Sequence, residues 1–280
     1  MKWLKNYWED FFTDEQKDTS WKRKRLLWEQ RNGEIVQIKG SGKMYRKTFY
    51  DEHTQLRYLL HLSYLIKQDE QFHLEEQVIP HELVMKNGEI IKHHVLKRTE
   101  QENEVRLRWT GTEEDRKQNF VYDRRAAVRY AERWWNSYNP AYRRFTVDCT
   151  NYISQCLYAG GAPMWGSPNR ETGWWYTSEN WSFSWAVAHS MRWYLSGAEQ
   201  GLKGREVESP EELTYGDVIC YDFDGDGRWD HTTIVTGKDQ YGMPLVNAHT
   251  DNSRHRYWSY EDSLAWTENI EYKFFQIDDE

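Results

Sequence analysis

The amino-acid sequence predicts an α+β protein in which a cysteine begins a helix and a histidine begins a strand of an antiparallel sheet. Cys149 opens an apolar helical stretch that ends at Gly160-Gly161. His231 opens an alternating stretch that is typical of a strand, and Asn87-Gly88 separates two more such stretches. Because the helices precede an antiparallel set of strands that carries the histidine, the pattern favours an α+β fold.

Composition excludes several classes of protein. The 280 residues include 16 Trp and 19 Tyr, so aromatic side chains can build a core despite few aliphatic ones. The net charge of −8 argues against a nucleic-acid-binding protein, which carries a basic stripe. No run reaches the roughly 18 apolar residues of a membrane span. The sequence leaves the oligomeric state open.

The cysteine count and the N-terminus bear on the compartment. Three cysteines do not describe a disulfide framework. The first ten residues contain no apolar signal core, so the chain as written is predicted to be cytoplasmic. A cell-envelope location is the alternative if an export segment is missing from this chain.

Two domains are predicted, residues 1–112 and residues 119–280. The first is a smaller α+β domain whose role the sequence does not reveal. Its aromatic spacing predicts a helix over residues 1–32, while 56–66 fits both a helix and a strand. Residues 110–119 contain no apolar side chain and form the predicted boundary. The other predicted strands are 34–38, 71–79, 90–98 and 104–109.

The second domain is predicted to place its helices before its strands. Asp123 can cap the first helix, which ends at Asn139-Pro140, and a left-handed cap is expected at Gly160-Gly161. A third helix is predicted over Ser184 to Leu195. The predicted strands are Asp217–Asp222, His231–Gly237, Leu245–His249 and Glu271–Ile277.

Cys149 is the candidate nucleophile of this domain. The N–H groups and the dipole at a helix start favour a thiolate over a thiol. His231 is the candidate base, which would later protonate the leaving amine. Cys156, two turns along the same helix, and Cys220, in an apolar strand, are expected to be core residues.

A third group is expected to orient the imidazole of His231. Asn247 and His249 are two residues apart on one strand and so share a face. Either could accept a hydrogen bond from the ring. Asp148 can serve as the cap of the Cys149 helix.

Residues 119–260 resemble the bacterial putative amidase domain family, which is related to the NlpC-like and CHAP cell-wall peptidases. The resemblance implies a papain-like fold, amide hydrolysis through an acyl-enzyme, and a peptide or peptidoglycan-like substrate. It favours His249 as the third catalytic residue and suggests that Asp148 holds a substrate amine. It requires no cofactor. The matching segments are Tyr122 to Ala131, Asp148 to Cys156, Gly216 to Ile219, Asp230 to Gly237 and Ala248 to Asp251.

An acidic loop before His231 has part of a calcium-loop pattern. Its carboxylates occupy positions one, three, five and nine, with glycine at position six. Thr233 replaces the glutamate of position twelve, and the flanking segments are predicted strands. An acidic hairpin loop is therefore the first interpretation, and a structural Ca²⁺ site is the alternative. The four candidate ligands are Asp222, Asp224, Asp226 and Asp230.

Trp174 and Trp175 lie in a long loop after the Cys149 helix. They are candidates for a rim that binds peptide or glycan, and core packing is the alternative. The sequence thus predicts a cysteine amidase or peptidase. The rival hypotheses are a non-catalytic binding module on the same fold and a thiol acyltransferase.

Overall fold

The structure is a computed structural model that describes residues 2–13, 19–96 and 120–278. The chain divides into two compact units, Met1–Lys97 with Ser259–Thr267, and Arg98–Trp258 with Glu268–Glu280. The first thus includes nine residues from near the C-terminus, a feature that the linear sequence does not indicate. The predicted boundary and the predicted strand 104–109 lie outside the described residues.

The first unit consists of helices followed by an antiparallel meander of strands. Two helices, α1 (Lys2–Thr13) and α2 (Thr19–Glu29), stand where one helical stretch was predicted. The ambiguous segment 56–66 is strand. Successive strands pair antiparallel, and the first three are longer than predicted because the pairing continues through polar residues. The strands are β1 (Gly33–Tyr50), β2 (His53–Gln68), β3 (Gln71–Lys86) and β4 (Glu89–Val95).

The Asn-Gly hairpin is confirmed. Asn87 and Gly88 connect β3 to β4 with φ angles of 50° and 88°. Both central residues of this tight turn need positive φ, which asparagine tolerates and glycine adopts freely.

A buried charge cluster ties α2 to the sheet within the first unit. The ammonium of Lys24 pairs with the carboxylate of Glu75 and, at 2.6 Å, with that of Asp262. All three side chains are almost fully buried. The amide of Gln77 also donates to both carboxylates. Segment 259–267 is therefore fixed to this unit by a desolvated ion cluster.

We predict that Lys24→Met destabilises the first unit by about 3–5 kcal/mol, because two buried carboxylates would lose their shared cation. Urea unfolding measures this change. The matched control is Lys5→Met, since Lys5 is 73% exposed and pairs with Glu9 on the helix surface. The control is expected to stay within about 0.5 kcal/mol of the wild type. Equal stability of both variants would contradict the assignment.

The helices of the second unit largely follow the prediction. Asp123 caps α3 (Arg124–Trp134) by accepting from the backbone N–H of Ala126 at 2.9 Å. The left-handed residue after α4 is Gly161, with φ of 93°. The third predicted helix is broken at Val187, whose backbone is extended. The remaining helices are α4 (Cys149–Ala159), α5 (Phe183–Ala186) and α6 (Ala188–Gly197).

The sheet of the second unit is antiparallel throughout, in the order β9-β8-β7-β6-β10-β5. The sequence did not predict β5 or β9. The strands are β5 (Lys203–Val207), β6 (Val218–Asp222), β7 (His231–Lys238), β8 (Pro244–Ala248), β9 (Asn252–Tyr257) and β10 (Glu271–Asp278). The chain is therefore a mixed protein of helices and a large antiparallel sheet, as the sequence predicts at this coarse level.

The core of the second unit surrounds α4. Every residue from Cys149 to Leu157 is buried. One face of the sheet contributes Val218, Cys220 and Ile234 to the same cluster. Because side chains alternate along a strand, Thr232 belongs to this inner face as well. The start of α4 is thus packed against β7 on this inner face of the sheet.

Among the described residues, no helix is both long enough and apolar enough to span a membrane.

Candidate active site

Cys149 is the first residue of α4, as predicted. Its side chain is 1% exposed, and its Sγ lies 3.7 Å from the hydroxyl of Thr150. The first N–H groups of a helix have no intrahelical acceptor, so they create positive potential at this point. This is the position in which a thiolate is stabilised.

Asp148 connects three segments around Cys149. Its Oδ1 accepts from the backbone N–H of Phe145 at 2.8 Å and from the amide of Asn151 at 3.0 Å. Its Oδ2 bonds to Nδ1 of His249 at 2.9 Å. Asp148 occupies the N-cap position without accepting a hydrogen bond from the helix backbone. Its carboxylate is therefore committed to protein groups.

His249 is bonded through both ring nitrogens, and neither bond goes to His231. Nδ1 meets the carboxylate of Asp148, and Nε2 lies 2.8 Å from the carbonyl oxygen of Trp134. Both partners are acceptors, so an imidazole with both protons satisfies both bonds. The ring also stacks on Tyr152 of α4, with centroids 3.9 Å apart. The result is a buried imidazolium–carboxylate pair at the start of α4.

Asn247, the other candidate for the third residue, bonds elsewhere too. Its amide donates to Glu132 at 2.9 Å, and its carbonyl accepts from the hydroxyl of Thr236 at 2.8 Å. Burial by itself raises the pKa of Glu132, but hydrogen bonds and positive charge outweigh burial and hold that pKa at about 2. His255 and Arg254 supply the charge. Asn247 thus belongs to an ionic network that is centred on Glu132 of α3.

One hydrogen bond joins the start of α4 to the start of β7. The hydroxyls of Thr150 and Thr232 lie 3.1 Å apart, and both residues are buried. Cys149 and His231 each precede one of these threonines. The two candidate catalytic residues therefore belong to adjoining element starts, although no motif in the sequence marks the threonines.

His231 is the first residue of β7 and is paired with Tyr221 of β6. Its ring centroid lies 5.7 Å from that of Tyr221 and 6.0 Å from that of Phe223. Strand alternation places His231 with Tyr221 on the face opposite Thr232. Burial, and secondarily the charge of Arg256, lowers the pKa of His231 to about 3. At neutral pH the ring is therefore uncharged, and in this buried position it is a weak base.

Cys156 and Cys220 are core residues, as the sequence predicts. Both are fully buried in the cluster around α4. Burial raises the pKa of each thiol far above its ordinary value. Both therefore stay protonated, and neither has the character of a nucleophile.

Trp174 and Trp175 lie in the core rather than on a rim. Their exposed fractions are 0% and 2%. The indole N–H of Trp174 donates to Ser154 of α4 at 2.9 Å, and that of Trp175 donates to the carbonyl of Asn169 at 3.0 Å. Long loops often carry ligand sites, but here the loop buries both of these indoles.

The acidic loop uses its carboxylates to hold its own backbone. Asp222 accepts from the N–H groups of Gly225 and Gly227 at 2.8 and 2.7 Å. Asp230 accepts from Phe223 at 3.1 Å. Across residues 2–13, 19–96 and 120–278, no three His, Cys, Asp or Glu side chains are placed to hold a metal ion. The arrangement fits the acidic hairpin and does not fit a Ca²⁺ cage.

Comparison with known proteins identifies the family. The model of the putative amidase domain matches residues 121–275. The chain belongs to this family. It is 46% identical over 266 residues to the uncharacterized protein YhbB of Bacillus subtilis (strain 168), covering 92% of this chain and 86% of that protein. It is also 31% identical over 140 residues to the uncharacterized protein YjcM of the same organism, covering 47% and 31%. No solved structure matches.

The family description supports amide hydrolysis in general terms. The matched region contains Cys149, His231 and His249. It also contains residues that sequence reasoning missed, namely Thr150, Thr232 and the Trp134 carbonyl that receives His249. No sequence signal marked them, because a backbone carbonyl and two ordinary threonines acquire a role only through tertiary contacts.

We predict that His231 makes the folded state less stable in acid. The ring binds a proton below about pH 6.5 when unfolded and only near pH 3 when folded. The unfolding free energy therefore falls as the pH drops below about 6.5, by about 3 kcal/mol at pH 4. Comparing wild type with His231→Gln in urea unfolding at several pH values isolates this contribution. Parallel pH curves for the two proteins would refute it.

We also predict strong coupling between Asp148 and His249. Asp148→Asn keeps the side-chain shape but leaves a buried imidazolium without its counter-charge, at a cost of about 2–4 kcal/mol. In a double-mutant cycle with His249→Gln, the two losses should overlap by about 2 kcal/mol. Glu171→Gln, an exposed change in the same unit, is the control. Additive losses would show that the pair does not act as a unit.

Proposed function

We propose that this protein is a cysteine-dependent amide hydrolase with a papain-like arrangement of its catalytic residues. The observation that carries the proposal is the buried Thr150–Thr232 bond. This bond fixes a cysteine-bearing helix start against a histidine-bearing strand start. Membership of the putative amidase domain family supports the same reaction class.

In the proposed reaction, His231 takes the thiol proton of Cys149, and the resulting thiolate attacks the amide carbonyl to form a tetrahedral intermediate. The backbone N–H groups at the start of α4 stabilise its oxyanion. His231 then delivers the proton to the nitrogen of the leaving amine. The C–N bond then breaks, leaving a thioester on Cys149. Water attacks the thioester, His231 accepts its proton, and the carboxylic acid and free thiol are released.

To act as the general base, His231 must come close to the thiol of Cys149. A base must approach within about 3 Å of the group that it deprotonates. Strand alternation directs the ring toward Tyr221, so proton transfer requires it to leave the burial that lowers its pKa and to reach Cys149 around the end of β7. Catalytic hydrogen bonds are often long in the absence of substrate and tighten when it binds.

In this proposal, Asp148 and His249 are positioning residues. Their ion pair links the residue before Cys149 to the end of β8, and both His249 nitrogens are already bonded. The resemblance implied instead that His249 orients His231 and that Asp148 holds a substrate amine. In this proposal both residues act through their bond to each other.

Cell-wall-type peptide is the proposed substrate class, and its support is the resemblance to cell-wall peptidases. Transfer of the acyl group to an amine is the alternative that keeps the same thioester. A non-catalytic peptide-binding or glycan-binding module is the other alternative, and it would not need a reactive thiol.

We predict that iodoacetamide at neutral pH alkylates Cys149 much faster than Cys156 or Cys220. The N–H groups at the start of α4 favour the Cys149 thiolate, whereas the other two thiols lie away from a helix start and burial keeps them protonated. Peptide mass spectrometry measures the three rates in one sample. His231→Ala should slow the alkylation of Cys149 by about tenfold or more, because the thiol loses its base. Equal rates at the three thiols would overturn the nucleophile. An unchanged Cys149 rate in His231→Ala would overturn the base.

We further predict that the wild type releases amide-cleavage products from peptidoglycan fragments and that Cys149→Ala does not. Mass spectrometry separates hydrolysis, which adds water, from transfer, which adds an amine. Cys156→Ala is the matched control and should keep its activity if it folds. Identical products from wild type and Cys149→Ala would exclude the thiol mechanism.

A further inference from the structure

We propose that an arginine–aromatic rim beside the start of α4 binds a carboxylate of the substrate, so that the enzyme selects acidic peptides. The inference rests on the proposed function, because it names the substrate class of the same site. The rim consists of Arg143, Arg144 and Arg170 together with the rings that they cover.

Two of the arginines share one indole. The guanidinium carbons of Arg143 and Arg170 lie 5.2 and 5.3 Å from the ring centroid of Trp181. Arg170 also lies 4.5 Å from the ring of Phe183 and donates to the carbonyl of Trp181 at 3.0 Å. Cation–π contact orients a guanidinium while leaving N–H groups at its edge able to donate. These two positive charges are therefore held together on one aromatic platform.

The third arginine lies on the side of His249. Arg144 covers the ring of Tyr138 at 3.9 Å, and the centroid of that ring lies 4.9 Å from the centroid of His249. His249 in turn bonds to Asp148, the residue before Cys149. Arg144 is thus linked to the candidate nucleophile through a short series of contacts.

The loop that carries Arg143 and Arg144 is fastened directly to the start of α4. The backbone N–H of Phe145 donates to Asp148 at 2.8 Å, and the carbonyl of Arg143 accepts from the amide of Asn151 at 2.9 Å. The backbone N–H of Arg143 also donates to the hydroxyl of Tyr176 at 2.7 Å. The positions of both arginines relative to Cys149 are therefore set by hydrogen bonds at both ends of the loop.

Two other arginines of the same unit are already paired with carboxylates. Arg124 pairs with Asp217, and Arg254 pairs with Glu132 at 2.6 Å. Within the part of the chain that the structure describes, Arg143, Arg144 and Arg170 pair with no carboxylate. Arg143 and Arg144 are also exposed. Arg125 and Arg133 of α3 also pair with no carboxylate among the described residues, so what distinguishes the rim is its loop, which is bonded to the start of α4.

The chemistry of this rim fits a carboxylate. A guanidinium edge donates two parallel N–H bonds to the two oxygens of a carboxylate. A substrate amide held at Cys149 would place neighbouring side chains near the rim, and acidic ones would be attracted while basic ones would be repelled. Selectivity for acidic peptides follows from charge at the rim and leaves the thiol chemistry unchanged.

The test measures binding without turnover. Cys149→Ala protein is titrated into two fluorescently labelled peptides, Ala-Glu-Ala-Glu-Ala and Ala-Gln-Ala-Gln-Ala, and anisotropy reports affinity. We expect tighter binding of the glutamate peptide, weakening between about 20 mM and about 300 mM salt. Arg143→Gln, Arg144→Gln and Arg170→Gln should each weaken it about three- to fivefold, as for partly screened ion pairs. Arg129→Gln, an exposed arginine of α3, is the control and should bind as the parent does.

Each outcome decides the proposal. Equal affinity for the two peptides, binding of neither, or the same loss in Arg129→Gln overturns the carboxylate site. Circular dichroism and the melting temperature show whether each variant is folded. Because there are three single variants, the test still stands if one of them does not fold. A protein that prefers the glutamate peptide but whose wild type cleaves no amide would overturn the hydrolase and leave the rim standing.

Discussion

The buried ion pair between Asp148 and His249 is the interaction on which the candidate site depends. It joins the residue before the nucleophile, the end of β8 and, through the Trp134 carbonyl, the end of α3. Each ring nitrogen and each carboxylate oxygen has a partner, which is the condition under which a buried pair is tolerated. Removing either member would leave an uncompensated charge at the start of α4.

This constraint explains how a reactive position can be kept inside a packed unit. A helix start has unsatisfied N–H groups and positive potential, and both need to be fixed if they are to stabilise a thiolate and then an oxyanion. The Asp148 carboxylate anchors the preceding loop, and the Thr150–Thr232 bond anchors the other side. The same loop carries Arg143 and Arg144, so one set of hydrogen bonds positions both the nucleophile and the proposed recognition rim.

Much of the local structure could be predicted from the sequence, for identifiable reasons. Asn87-Gly88 marked its hairpin because few residue pairs adopt two positive φ angles, and Asp123 marked its helix because its side chain caps α3. The break of the third helix at Val187 could not be predicted, because no glycine or proline marks it. The strands β5 and β9 were missed because their residues are largely polar, and sheet pairing decided their conformation. Residues 259–267 were not predicted to belong to the first unit. Their contact with it includes the ion pair between Asp262 and Lys24, which lie far apart in the chain.

The sequence by itself determined the cysteine at a helix start, the histidine at a strand start and the family to which the chain belongs, because these reside in local pattern and motif. Only the tertiary structure decided what the surrounding groups do. It placed Trp174 and Trp175 in the core and paired His249 with Asp148. It also showed that the acidic loop bonds its carboxylates to its own backbone. It also left three arginines without carboxylate partners among the described residues, two of them on the loop that is bonded to the start of α4. The physical reason is that hydrogen bonds, ion pairs and burial join residues far apart in the chain, and no local pattern specifies which of them will meet.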